Sequence, residues 1–93
     1  MNEKEAQELL EQRLARLRSQ SYAELVQQIG DVSSFEATGP TGASYQIEIQ
    51  FIWDDQQDGN IRVMGAIDDG GIRAFMPLSL SFIMSPAGKF IDE

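Results

Sequence analysis

Residues 45–53 read Tyr45-Gln46-Ile47-Glu48-Ile49-Gln50-Phe51-Ile52-Trp53. Every odd position is large and apolar, and every even position except Ile52 is polar. Successive side chains of a strand point to opposite faces, so this alternation describes a strand with one apolar and one polar face. Such a strand belongs in an antiparallel sheet covered on one side only.

Upstream of Asp31 the periodicity is helical. Ala6, Leu10, Leu14 and Leu17 recur at spacings of four, four and three, which aligns them on one face of a helix from about Glu3 to Arg18. Leu9 widens that stripe. Glu3, Glu5, Glu8 and Glu11 lie in its first half and Arg13, Arg16 and Arg18 in its second, as the helix dipole favours. The arginines admit two readings, an anion site or a solvated helix end, and the second is the simpler. Ser21 and Glu24 have the spacing of a capping box, and Tyr22, Leu25, Val26 and Ile29 follow at i, i+3, i+4 and i+7. A second helix is therefore expected over about 22–29, with Gly30 as its left-handed C-cap.

Between Asp31 and Trp53 there is room for one more strand, Val32 to Thr38, before the turn-rich Gly39-Pro40-Thr41-Gly42. Downstream, Asp54 to Asn60 forms a loop, and Ile61, Val63, Gly65 and Ile67 resume the alternation. Asp68-Asp69-Gly70-Gly71 suits a tight reversal into a strand at Ile72–Met76, which Pro77 would end or confine to an edge. Leu78 to Met84 fits either a strand or a helical turn. Ser85-Pro86-Ala87-Gly88 is a turn, after which Phe90 and Ile91 return towards the core. The expected fold class is a single α+β domain over residues 1–93. Two N-terminal helices would pack on one face of an antiparallel meander of about four strands.

Composition excludes several chemistries. The chain has no histidine and no cysteine. That removes Ser-His-Asp and Cys-His nucleophile activation, thiolate or imidazole zinc sites, and disulfides. Carboxylates, two tyrosines and a few bases remain, and a 93-residue domain seldom supplies the cleft a paired-carboxylate enzyme needs. No enzymatic activity and no cofactor are expected. The residues Met1-Asn2-Glu3-Lys4-Glu5 lack a basic region followed by an apolar one, and no apolar run approaches membrane length. A cytoplasmic location is the default expectation.

The net charge of −8 is uneven. Residues 1–30 carry five acids and four bases, whereas residues 31–93 carry ten acids and three bases, Arg62, Arg73 and Lys89. A surface of that sign disfavours phosphate backbones and anionic lipid, so neither nucleic acid nor membrane is an expected partner. Its simplest consequence is solubility; its sharper one is attraction to a basic protein.

Within the loops, Asp54-Asp55-Gln56-Gln57-Asp58-Gly59-Asn60 partly matches the start of a calcium loop. Position three is Gln56 and position twelve is Gly65, so the bidentate glutamate is missing. Asp54, Asp58 and Asn60 stand as the ligands of the alternative, a small-ligand or divalent-cation-binding domain that uses the acidic hairpin loops, against the simpler reading of an acidic turn. Tyr45, Phe51 and Trp53 could stack bases, but without interleaved Lys or Arg they read as core. Met64, Met76 and Met84 read as core fillers or as an adaptable interface.

The C-terminal third adds a resemblance. Ile67-Asp68-Asp69-Gly70-Gly71, Arg73-Ala74-Phe75, Pro77-Leu78, Phe82-Ile83, Pro86, Gly88, Phe90-Ile91 and Glu93 resemble a small bacterial family of no known function. The resemblance implies membership of that family and no activity. Most of these positions are turn or packing residues; Arg73 instead has the placement to pair with Asp68 or Asp69 and brace the hairpin.

These readings converge on a non-enzymatic protein-interaction module of the immunity, antitoxin or chaperone kind. Asp54, Asp55, Asp58, Asp68 and Asp69 are its candidate contacts for a basic partner. Alternate turns of a meander fall at opposite ends of the sheet, which bears on whether those five form one patch. A homodimer through an edge strand, or through the exposed half of the sheet that Ile52 interrupts, is the further expectation.

Overall fold

The computed structural model describes residues 1–71 and 76–93. Two helices precede four strands: α1 Glu3–Arg18, α2 Tyr22–Val26, β1 Val32–Thr38, β2 Ser44–Trp53, β3 Ile61–Asp68 and β4 Leu78–Met84. The strands form one antiparallel sheet in the order β1-β2-β3-β4. The expected α+β meander is therefore observed, with both helices before it. The strand expected at Ile72–Met76 falls, except for Met76, on residues 72–75, outside the described residues, as does the pairing expected of Arg73; Met76 itself lies exposed in a bend. The fourth strand of the sheet is the ambiguous segment Leu78–Met84, which pairs with β3 from Ile67↔Leu78 to Ile61↔Met84.

The alternation at 45–53 does what its period requires. Tyr45, Ile47, Ile49 and Phe51 are buried, and Trp53 packs half-buried at the margin. Register carries the same face across the sheet through Ile61, Val63, Gly65 and Ile67 to Met84, Phe82, Leu80 and Leu78. α1 lies on that face, over β3 and β4, with Ala6, Leu10 and Leu14 buried. Gly65 is where the helix comes closest. A β-carbon built there would sit 2.7 Å from Leu10 Cδ1, 3.2 Å from Ile49 Cδ1 and 3.4 Å from Leu14 Cδ2. No side chain larger than hydrogen fits without moving the core.

Asn2 caps α1 by accepting from the Glu5 N–H at 3.1 Å. Ser21 and Glu24 form the expected capping box at α2. The second helix is shorter than its 22–29 pattern suggests. It ends at Val26, and Gln27–Gly30 continue as turns. Gly30 is left-handed (φ +90°) as expected, but it turns the chain into β1 rather than capping the helix. Its N–H donates to the Phe51 carbonyl at 2.9 Å, so entry into the sheet competes with another helical turn.

At the far end of the chain, Phe90 pairs with Met84, and the Ile91 N–H donates to the Ile83 carbonyl at 2.9 Å. The tail thus covers the end of β4's outer edge. Phe90 stays 38% exposed, so it sits at the rim of the core and not within it. The Phe82 and Phe90 rings meet edge-to-face with centroids 5.8 Å apart. The Arg18 guanidinium lies 5.1 Å and 4.7 Å from their centroids and pairs with Glu93 at 2.7 Å. Arg13 covers Phe35 at 4.3 Å. These two arginines are packing elements that shield aromatic surface, not a solvated helix end. No helix among the described residues is long and apolar enough to cross a membrane.

Candidate functional site

Because the helices occupy one face of the sheet, the functional question concerns the other. Three of its rows follow from the register. Glu36, Gln46 and Asp68 form one; Ser34, Glu48, Ala66 and Ser79 the next; Val32, Gln50, Met64 and Ser81 the third. Beyond them Ile52 and Arg62 stand beside Ile83. Small residues at Ala66, Ser79 and Ser81 leave a shallow depression of about 190 Å³ whose lining also includes Glu48, Gln50 and Met64.

Two chemical halves result. Glu36, Glu48 and Asp68 give one half three carboxylates. Val32 (59% exposed), Ile52 (39%) and Met64 (38%) give the other an open apolar cluster. Ile52 is the diagonal neighbour of both Val32 and Met64, which lie two strands apart on either side of Gln50. Arg62 is the one base on this face among the described residues, and its Nε donates to Asp54 Oδ1 at 2.8 Å. Its charge is spent within the chain. By contrast, Lys4, Arg13, Arg16 and Arg18 all belong to α1.

The five aspartates picked out by sequence do not share a surface. Asp54, Asp55 and Asp58 sit in the β2–β3 loop, while Asp68 and Asp69 sit at the other end of β3. The length of that eight-residue strand separates them, about 25 Å. Each also has local work. Asp54 holds Arg62, and Asp55 accepts from the Gln56 N–H at 2.8 Å. Asp58 occupies a left-handed conformation (φ +65°). Asp68 and Asp69 accept from the Gly70 and Gly71 N–H groups at 2.8 and 3.1 Å. The Gly71 N–H above all, with the α-amino group 3.5 Å from its carboxylate, holds the Asp69 carboxyl below its usual pKa against the opposing effect of burial. Of the five, Asp68 projects onto the uncovered face from within β3, and Asp54 reaches its margin only through the bond to Arg62. Among the described residues, no three acidic side chains gather closely enough to hold a metal ion. Asp54, the first of the Asp54–Asp58–Asn60 set, is already bound to Arg62.

Sequence reasoning missed the one buried carboxylate. Glu5 is 7% exposed and accepts from Tyr45 Oη at 2.7 Å, Thr41 Oγ1 at 2.9 Å and the Thr41 N–H at 3.0 Å. The Tyr45 bond is the chief cause that lowers the Glu5 pKa; burial opposes it and the Thr41 bonds assist. The same bond, with burial and the Glu5 charge, pushes Tyr45 up to about 12. Gly39 makes room for the carboxylate, since a β-carbon there would lie 2.5 Å from Glu5 Cδ. The cluster fastens the first turn of α1 to the β1–β2 loop and to β2, an architectural role. A signal existed: Glu5 stands four residues before Leu9, on the flank of the apolar stripe.

No family model matches the chain, and no curated protein or solved structure matches it significantly.

Proposed function

We propose that this chain is a non-enzymatic, acidic protein-interaction module of the bacterial cytoplasm that receives a basic partner on the uncovered face of its sheet. One observation carries the reading: that face joins three carboxylates to an exposed Val32–Ile52–Met64 cluster, while its one base among the described residues is already bound to Asp54. Apolar area supplies the contact energy, and the acidic half supplies orientation and rapid encounter. Nucleic acid and anionic membrane fit poorly, because both require bases where this face has acids. Asp68 remains a contact in this reading. Asp54 acts by holding Arg62, and Asp55 and Asp58 lie beyond the face.

The test is capture from lysate of the host by immobilised protein, with the Ile52→Lys/Met64→Lys variant as comparison. A basic protein retained in stoichiometric amount at low salt, released at high salt and lost by the variant is the expected result. Retention by both forms alike, or at molar salt, would overturn the reading.

A further inference from the structure

The sheet has a second unfilled surface, the outer edge of β1. Residues of an antiparallel strand alternately turn their backbone groups towards one neighbour and then the other. The phase in β1 follows from its two ends. The Gly39 N–H donates to the Ala43 carbonyl at 2.8 Å, and the Phe51 N–H donates to the Asp31 carbonyl at 3.4 Å. Continued along the unbroken register from Val32↔Gln50 to Thr38↔Ser44, odd-numbered residues of β1 bond to β2. Val32, Ser34, Glu36 and Thr38 therefore turn their N–H and C=O groups outward. The strand contains no proline, no lysine and no bulge, the usual means of blunting an edge. The opposite edge, by contrast, is partly covered by Phe90 and Ile91.

The geometry points to a second copy of this chain as the occupant. Antiparallel self-pairing about a two-fold axis through Phe35 sets Val32 against Thr38 of the other copy, and Ser34 against Glu36. All four outward-facing residues then meet outward-facing residues, so every free N–H and C=O of the edge gains a partner. No like charges stand directly opposite: each Glu36 faces a serine. Phe35 meets Phe35 in the closer, non-hydrogen-bonded spacing, on the helix side where Arg13 shields it. The result is an isologous dimer with one continuous eight-stranded sheet and two α1 helices on the same side. Its uncovered faces become one surface, although the dimer does not depend on that surface's having a partner.

Salt separates the two ideas. Two copies of charge −8 repel, so the dimer tightens as salt rises, whereas binding of a basic partner loosens. Sedimentation equilibrium of the full chain over a concentration series measures the dimer directly. Twice the chain mass at high concentration is expected. Ser34→Pro removes an outward N–H that β2 does not use, so it should keep the native circular dichroism and remain a monomer. Ser34→Glu sets a carboxylate against Glu36 twice per dimer and should weaken it roughly 2- to 30-fold. Adding Glu36→Lys to Ser34→Glu should restore it. A wild-type chain that stays monomeric at all concentrations would overturn the proposal and leave the edge to an extended segment of another protein. A dimer indifferent to Ser34→Pro, or one that the Ser34→Glu/Glu36→Lys exchange fails to restore, would overturn it equally.

Discussion

Gly65→Ala is the substitution that most sharply tests how α1 lies on the sheet. A methyl at this position meets Leu10 Cδ1 at 2.7 Å, nearly 1 Å inside the ordinary carbon–carbon contact of about 3.5–4.0 Å. Leu10 is fully buried, and Leu14 and Ile49 close off the other directions, so the side chain cannot swing clear. Overpacking of this kind costs about 1–3 kcal/mol. Replacing glycine returns about 0.4–1 kcal/mol by stiffening the unfolded chain. The net loss is about 1–2 kcal/mol, which for a domain of this size lowers Tm by about 5–15 °C. Trp53 is the only tryptophan and lies at the margin of the core, so its fluorescence reports urea and thermal unfolding. Leu10→Ala alone should cost about 2–5 kcal/mol. The double variant should cost less than the sum, because the new methyl occupies part of the space that Leu10 vacates. A Gly65→Ala protein as stable as the wild type, or strict additivity in the double variant, would refute the close approach of α1 to β3.

Three further outcomes follow from the same geometry. The raised Tyr45 pKa stabilises the fold fully below the ordinary tyrosine value of about 10, and that contribution is lost as pH climbs through about 12. Ultraviolet titration of a Tyr22→Phe variant should place the remaining phenol near 12, and an ordinary value would dissolve the Glu5–Tyr45 bond. The lowered Glu5 pKa acts in the opposite direction. Its contribution is present above the unfolded carboxylate pKa and disappears as pH falls through the folded value, so Tyr45→Phe should move acid unfolding to higher pH. Arg18→Ala removes the cation over Phe82 and Phe90 and the Glu93 pair; a loss of about 1 kcal/mol and faster exchange of the Ile91 amide are expected, and unchanged exchange would show that the tail is held otherwise.

Much of the architecture was legible because it depends on local chemistry. The period of two at 45–53, the helical stripe through Leu10 and Leu14, and the Ser21–Glu24 box each encode their element within a few residues. Leu78–Met84 was ambiguous because its strand state is decided by pairing with β3, which its own residues do not encode. The short α2 has the same cause, since the Gly30–Phe51 bond that draws the chain into the sheet spans distant segments. Glu5 was overlooked because an acid near a helix start already has a sufficient explanation in the dipole, while Thr41 and Tyr45 lie far along the chain.

The candidate site shows the same division. The eye is drawn to aspartates that cluster in sequence, and meander topology sends those clusters to opposite ends of β3. The surface that does assemble draws Glu36, Glu48, Met64 and Asp68 from three strands, and only the register brings them together. Ile52 was the one legible trace of it, an apolar residue on the polar side of its strand.

Placing the partner on that face, and not on the loops, is the central claim. Its most direct measurement compares capture of the basic partner by wild type, Glu48→Lys and Asp55→Lys/Asp58→Lys at low salt. The account predicts that Glu48→Lys, at the middle of the uncovered face, releases the partner while the loop variant retains it. Retention by Glu48→Lys together with loss by the loop variant would contradict it.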